Sequence, residues 1–187
     1  MLDTSDIRKN LKIVIDDEPW VVVDFQFVKP GKGKAFTRTR IKNMISGNVI
    51  DKTYRSGEKL EEAKINERKM AFLYSQGNMY TFMDNQTYEQ VEMSQEQVGE
   101  ANNFLTENMD VEVVFFNDRP TGLDLPNFVE LQIADTEPAV KGNTVSSATK
   151  PAKLSTGHLL NVPLFVNSGE SIVVDTRTGE YVERVKK

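Results

Sequence analysis

Short runs of apolar and β-branched residues recur along this chain between turn signals, and only one segment carries a helical period. The runs fall at residues 11–15, 20–27, 35–43 and 49–55; at 69–75, 79–83 and 87–93; and at 111–116, 128–134, 162–166, 171–175 and 181–185. Turn formers separate them, among them Asp16-Asp17-Glu18-Pro19, Ser46-Gly47-Asn48, Gln76-Gly77-Asn78, Asp84-Asn85-Gln86, Asn117-Asp118-Arg119-Pro120 and Thr176-Arg177-Thr178-Gly179. Short, evenly spaced strands of this kind predict small β-barrels, not a doubly wound α/β sheet. The pattern pauses over the polar residues 56–64 and breaks again at Leu125-Pro126-Asn127. An all-β chain of three small barrels in series is therefore expected, over 1–64, 65–126 and 127–187. Each unit would have ~60 residues, small but within the range that folds.

The one helix should open at Ser94 as N-cap with Gln97 three residues on, carry Val98, Ala101 and Leu105 on one face, and end near Met109. Residues 135–156 are rich in Gly, Ser, Thr and Pro and are expected to form a long loop. Aromatics make up 9% of the chain, and Phe82, Phe115 and Phe165 are expected to alternate into the core.

Charge is placed unevenly. From position 29 to 42 there are six basic side chains and no acidic one; the formal total is -5, so the remainder carries -11. The basic segment begins as Lys29-Pro30-Gly31-Lys32-Gly33-Lys34, where Pro30 fixes its own φ and Gly31 and Gly33 allow positive φ, so a sharp loop can hold Lys32 at its apex. If residues 35–42 form a strand, Phe36, Arg38, Arg40 and Lys42 share one face and Thr37, Thr39 and Ile41 the other. A lysine loop running into a cationic stripe suits the backbone of an RNA, with lysines on phosphates and bare glycine backbone tolerating close approach. A solvated lysine hairpin is the plain alternative, and the ordered stripe weighs against it.

Other chemistry is largely excluded. The absence of cysteine removes disulfides, thiol nucleophiles and cysteine-ligated zinc, and the single histidine, His158, removes any multi-histidine metal site. His158 reads as a loop surface residue, and Glu58, Glu61 and Glu62 as a solvated linker. Gly31 and Gly33 do not begin a nucleotide-binding loop, since no Gly-Lys-Ser/Thr follows at the needed spacing. No catalytic residue, cofactor or metal is expected. No stretch approaches the ~20 apolar residues of a membrane span, and the first residues do not read as a signal sequence, so a cytoplasmic protein is expected.

The segment Phe27-Val28-Lys29-Pro30-Gly31-Lys32-Gly33-Lys34-Ala35-Phe36 resembles the tip loop of bacterial translation elongation factor P. Residues 150–169, with Lys150, Ala152, Gly157, Val162-Pro163 and Gly169 in register, resemble that family's carboxy-terminal signature. Thr81-Phe82-Met83-Asp84, Pro126-Asn127-Phe128-Val129-Glu130-Leu131 and Val174-Asp175-Thr176-Arg177-Thr178-Gly179-Glu180-Tyr181 are family-like as well, so the resemblance spans nearly the whole chain. It implies an SH3-like (KOW-type) barrel followed by two OB-type barrels in an L-shaped outline comparable to a transfer RNA. It implies, further, a non-enzymatic, monomeric factor that binds the 70S ribosome between the peptidyl and exit sites and relieves stalls at consecutive prolines.

By position, Lys32 corresponds to the tip residue that reaches towards the acceptor end of the P-site peptidyl-tRNA and that a modifying enzyme extends in many members. Tyr181 and Arg184 fall where the family lies near the anticodon side of that tRNA. Tyr181 could stack on a base or be a half-buried strand aromatic, and Arg184 could pair with phosphate or be solvated. Two positions depart from the family pattern: Asn143 in Lys141-Gly142-Asn143-Thr144, often aspartate in relatives, and Lys34, often uncharged. Lys34 reads as a supplementary phosphate contact. The rival readings are the elongation factor P-like paralogue, which usually lacks the Pro-Gly-Lys-Gly tip, and a general single-strand RNA-binding protein, which would need exposed aromatic platforms.

Overall fold

The structure is a computed structural model, described over residues 1–139 and 148–186. The chain divides into two compact units, one made of Met1–Arg68 with Val113–Gly122 and the other of Lys69–Glu112 with Leu123–Lys187. Its strands form three separate sheets, two of them curled into barrel-like form. No helix among the described residues is long and apolar enough to cross a membrane.

The first sheet holds β1 (Leu2–Asp3), β2 (Lys12–Ile15), β3 (Glu18–Val28), β4 (Phe36–Asn43), β5 (Val49–Arg55) and β6 (Lys59–Glu62), in the order β1-β6-β2-β3-β4-β5. Ile13, Val22, Ile41, Tyr54 and Leu60 fill its core together with Ile7 and Leu11. β6 lies inside the stretch read as a polar linker: Leu60 and Ala63 are buried there while Glu61 and Glu62 stay exposed. One apolar residue per inward position suffices on a strand paired at both edges, but it leaves almost no period in the sequence.

The second sheet holds β7 (Ile65–Gln76), β8 (Met79–Asp84), β9 (Gln90–Ser94), β10 (Asp110–Phe116) and β11 (Arg119–Asp124), in the order β11-β10-β7-β8-β9. Between β9 and β10 the expected helix is much shorter than its sequence suggests. Ser94 and Gln97 form the predicted reciprocal cap, but α1 (Gln95–Val98) stops at Gly99, whose φ of 60° and ψ of -142° end the α-helical ladder. A 3₁₀ turn over Gly99–Asn103 then carries the chain to Phe104.

The third sheet holds β12 (Phe128–Thr136), β13 (Thr149–Leu154), β14 (Leu159–Pro163), β15 (Ser171–Asp175) and β16 (Glu180–Arg184), in the order β14-β13-β12-β15-β16. β13 occupies the end of the expected long loop, with Lys150, Ala152 and Leu154 buried. The Lys150 amine is accommodated by donating to the Glu137 carbonyl at 2.6 Å. Phe104, from the segment after α1, belongs to this third core with Leu131, Ile133, Val162, Val166, Ile172 and Val174. Phe82 and Phe115 are core residues as expected, but Phe165 is 56% exposed. β14 ends at Pro163, so alternation no longer dictates the face, and Val166 takes the buried position.

Candidate nucleic-acid interface

Strands β3 and β4 form a long hairpin whose last paired residues are Val28 and Phe36. Residues 29–35 close it, and Lys32 is their midpoint. Lys29, Gly31, Lys32, Gly33 and Lys34 are exposed, and Pro30 is half-buried. Only Gly33 uses the glycine freedom anticipated for this loop: its φ is +106°, whereas Gly31 keeps a conformation open to other residues. A Cβ on Gly33 would lie 4.0 Å from the Pro30 ring, so the demand there is on backbone conformation, not on space.

The predicted stripe follows directly. Along β4 burial alternates without exception after Phe36, with Thr37, Thr39, Ile41 and Asn43 buried and Arg38, Arg40 and Lys42 exposed. Thr39 resolves its buried hydroxyl by donating to the Lys52 carbonyl at 2.8 Å. Such alternation fixes register, because a slip by one residue would bury three cations. The three cations are not equivalent. Arg40 lies opposite Asp24 on β3 and Asp51 on β5, and its Nε donates to Asp51 Oδ1 at 3.0 Å. That bond holds the Asp51 carboxyl below the usual carboxylate range and raises Arg40 further. Asp24 is also paired, to Lys9 at 3.4 Å.

Nearer the tip, Lys34, Arg38 and Arg55 form no such ion pair among the described residues. Lys34, Phe36, Arg38, Thr53 and Arg55 line an open groove beside the loop. The Arg38 guanidinium sits 5.5 Å from the Phe36 ring centroid, and Arg55 lies opposite Phe36 in the ladder. Arg55 is the residue that sequence reading left out: strand β5 was recognised, but only its register with β4 puts this guanidinium beside Lys34 and Arg38. Three cations around an open groove with an aromatic wall can hold phosphate oxygens and a stacked sugar or base.

Tyr181 and Arg184 lie on β16, away from this hairpin in sequence and in the other compact unit. Tyr181 is half-buried against the third core, and burial raises its hydroxyl pKa. Arg184 bonds Glu170 at 3.4 Å and stacks 5.2 Å from the exposed Phe165 ring. His158 has a partner after all: its ring meets Phe104 edge-on at 5.2 Å. The Lys141-Gly142-Asn143-Thr144 segment lies outside the described residues. Among the described residues no group of His, Cys, Asp and Glu is arranged to hold a metal ion.

Three family models match in sequence order. Residues 3–60 match the elongation factor P KOW-like domain, 65–123 the elongation factor P OB domain, and 129–184 the elongation factor P carboxy-terminal domain. The chain is 50% identical over 186 residues to elongation factor P 2 of Geobacter sulfurreducens and to elongation factor P of Syntrophus aciditrophicus, covering 100% of each chain in both cases. It is 48% identical over 187 residues to elongation factor P of Bdellovibrio bacteriovorus, again over both full lengths. Among solved structures it is similar to the translation initiation factor 5A of Methanococcus jannaschii, with a TM-score of 0.56 and 25% identity over 66% of this chain and 92% of that one.

Proposed function

The chain belongs to the elongation factor P family, translation factors and not enzymes, and from that premise we propose that it acts on the ribosome through the Lys32 loop. It is a translation elongation factor. In this reading it binds between the P and E sites and promotes peptide-bond formation at consecutive prolines. Residues 1–64, 65–126 and 127–187 act as its three domains in the cytoplasm.

The observation that carries the reading is Lys32 exposed at the midpoint of a hairpin tip that holds no acidic side chain, beside a groove of Lys34, Arg38 and Arg55. Proline is a stiff, poor nucleophile. A cation braced against the acceptor end of a peptidyl-tRNA narrows the ensemble towards attack geometry, a gain in orientation without proton transfer. Lys32 then positions the P-site tRNA, while Lys29, Lys34, Arg38 and Lys42 anchor the hairpin on phosphates and Arg40 serves chiefly to fix the strand. Pro30 and Gly33 hold the tip geometry, with Gly31 open to close backbone approach. A longer side chain at Lys32 would extend reach and add donors, which makes this residue the one a modifying enzyme would act on.

The test is translation of a reporter with three consecutive prolines in a reconstituted system that lacks any such factor. The wild-type protein should rescue and Lys32→Ala should not, while both melt at the same temperature to within about half a kcal/mol of stability. Failure of the wild-type protein, taken from its native host with any modification intact, would remove the reading.

A further inference from the structure

The outer face of β3, β4 and β5 changes its chemistry row by row towards the hairpin tip. Beside the loop, Val28, Phe36 and Arg55 lie side by side across the three strands. Two residues along, Gln26, Arg38 and Thr53 form the next row on the same face, and beyond it come Asp24, Arg40 and Asp51. The first row is apolar except for its guanidinium. The second sets one cation between two exposed neutral side chains, an amide and a hydroxyl. In the third, Arg40 is paired to Asp51 and Asp24 to Lys9.

Spacing gives these rows different tasks. Successive rows on one face lie about 7 Å apart, so Arg38 is within a screening length of the carboxylate row while the row of Phe36 and Arg55 is beyond it. A phosphate is therefore held best between Lys34 and Arg55, and a second phosphate at Arg38 would approach two carboxylates. A neutral base edge meets no such repulsion. Arg38 forms no ion pair among the described residues, and its guanidinium sits 5.5 Å from the Phe36 ring centroid, which braces it and leaves its planar fork of donors free. That fork matches the adjacent N7 and O6 acceptors of guanine, whereas adenine sets a donor beside N7. A purine also gives the Phe36 wall the larger surface to pack on. The groove of Lys34, Phe36, Arg38, Thr53 and Arg55 has a volume of about 450 Å³, within the range of small-ligand sites.

We propose that this groove seats one unpaired guanine nucleotide of an RNA chain, with Lys34 and Arg55 on its phosphate, Phe36 against the base and Arg38 on the base edge. This rests on the RNA-binding reading of the hairpin and gives Arg38 a narrower task within it than a general phosphate contact. A nucleotide within RNA is favoured over a free one because Lys29 and Lys32 are exposed on the adjoining loop, where the phosphates of neighbouring nucleotides find further cations. The neutralised row of Arg40 closes the site on its other side, which limits it to a single nucleotide.

The test measures, by fluorescence anisotropy at low salt, the binding of labelled uridine-rich oligoribonucleotides to the full chain, each with a central guanine, adenine, cytosine or uracil. The guanine oligonucleotide should bind at least about tenfold more tightly than the other three. Arg38→Lys, which keeps the charge and removes the fork, should abolish that preference, while Arg55→Ala should weaken all four alike and lower the salt slope by up to about one. Guanosine monophosphate should compete only at far higher concentration. No binding, equal binding of the four, a preference for another base, or a preference that survives Arg38→Lys would overturn the proposal. So would displacement by guanosine monophosphate at the oligonucleotide's own concentration, which would make a free nucleotide the ligand. Any of these results with rescue of the triple-proline reporter intact leaves the ribosome reading standing, and a guanine preference without rescue removes that reading alone. Arg38 and Arg55 are exposed, so both variants should keep the wild-type melting temperature.

Discussion

Phe104→Ala should be among the most destabilising single changes in the unit formed by Lys69–Glu112 and Leu123–Lys187. The ring is 5% exposed and belongs to the third core although it arrives from the turn that follows α1. Burial of a phenylalanine contributes roughly 1.5–3 kcal/mol by transfer alone, and truncation to alanine commonly costs about 3–5 kcal/mol once the cavity is counted. The surroundings offer little collapse. Phe104 Cζ lies 3.7 Å from where a Cβ on Gly179 would stand, the His158 ring packs edge-on at 5.2 Å, and the adjoining Asn103 carbonyl accepts from Thr156 Oγ1 at 2.6 Å. A loss near the lower bound, about 3 kcal/mol, is therefore the minimum expected. Native-state amide exchange in full-length protein is the suitable readout, because it isolates the β12 and β15 amides that bracket this core. At about 1.4 kcal/mol per tenfold change, protection there should fall on the order of 100-fold or more. A drop of less than about fivefold would show that the ring is not a structural member of the third core.

Tyr54→Phe should be neutral or stabilising by up to about 1 kcal/mol in thermal melts, since the Tyr54 hydroxyl is buried without a hydrogen-bond partner. Burial lifts that hydroxyl to about 12 from an ordinary 10.0, with Glu58 adding to the rise. Its folded pKa lies above the unfolded value, so the wild type keeps this stability below about pH 10 and loses it as pH climbs towards 12; urea midpoints across that window should fall less in the Phe variant. Gly33→Ala should leave global stability nearly unchanged in the same melts but impair triple-proline rescue, because φ of +106° strains any side chain by about 1–3 kcal/mol and shifts the tip instead. Arg40→Ala should return the Asp51 carboxyl towards its ordinary titration in NMR, since the Arg40 hydrogen bond is the largest cause of its lowering.

Strand β4 was legible because two requirements coincide on it: period-two burial of Thr37, Thr39 and Ile41, and exclusion of Arg38, Arg40 and Lys42 from the core. The Ser94–Gln97 cap was legible because both partners lie within one turn. What stayed hidden depends on partners distant in sequence. β6 and β13 carry few apolar residues and are strands because a neighbouring ladder satisfies their backbone, and Lys150 is buried because Glu137 offers a carbonyl. The helix seemed longer because Ala101 and Leu105 kept the period beyond Gly99, whose positive φ only the structure discloses. The candidate site divides likewise. Lys32 and the stripe could be read directly, whereas the placement of Arg55 and the engagement of Arg40 follow from the pairing of Phe36 with Arg55 and of Arg40 with Asp51.

That pairing also explains how a chain of net charge -5 can present a site for a polyanion. At physiological ionic strength a charge is felt over about 8 Å. The ladder acids closest to the tip on β3 and β5, Asp24 and Asp51, both lie opposite Arg40, four residues along β4 from Phe36. At roughly 3.3 Å per residue that is about 13 Å from the mouth of the loop. They are paired there, to Lys9 and Arg40 respectively. A phosphate held between Lys34 and Arg55 at the mouth of the loop therefore meets cations within a screening length, with the ladder's carboxylates beyond it, whereas Arg38, about 7 Å from the row of Arg40, lies between the two. Net charge governs the solubility of the whole chain, but the spacing of acids along one hairpin decides what its tip can bind.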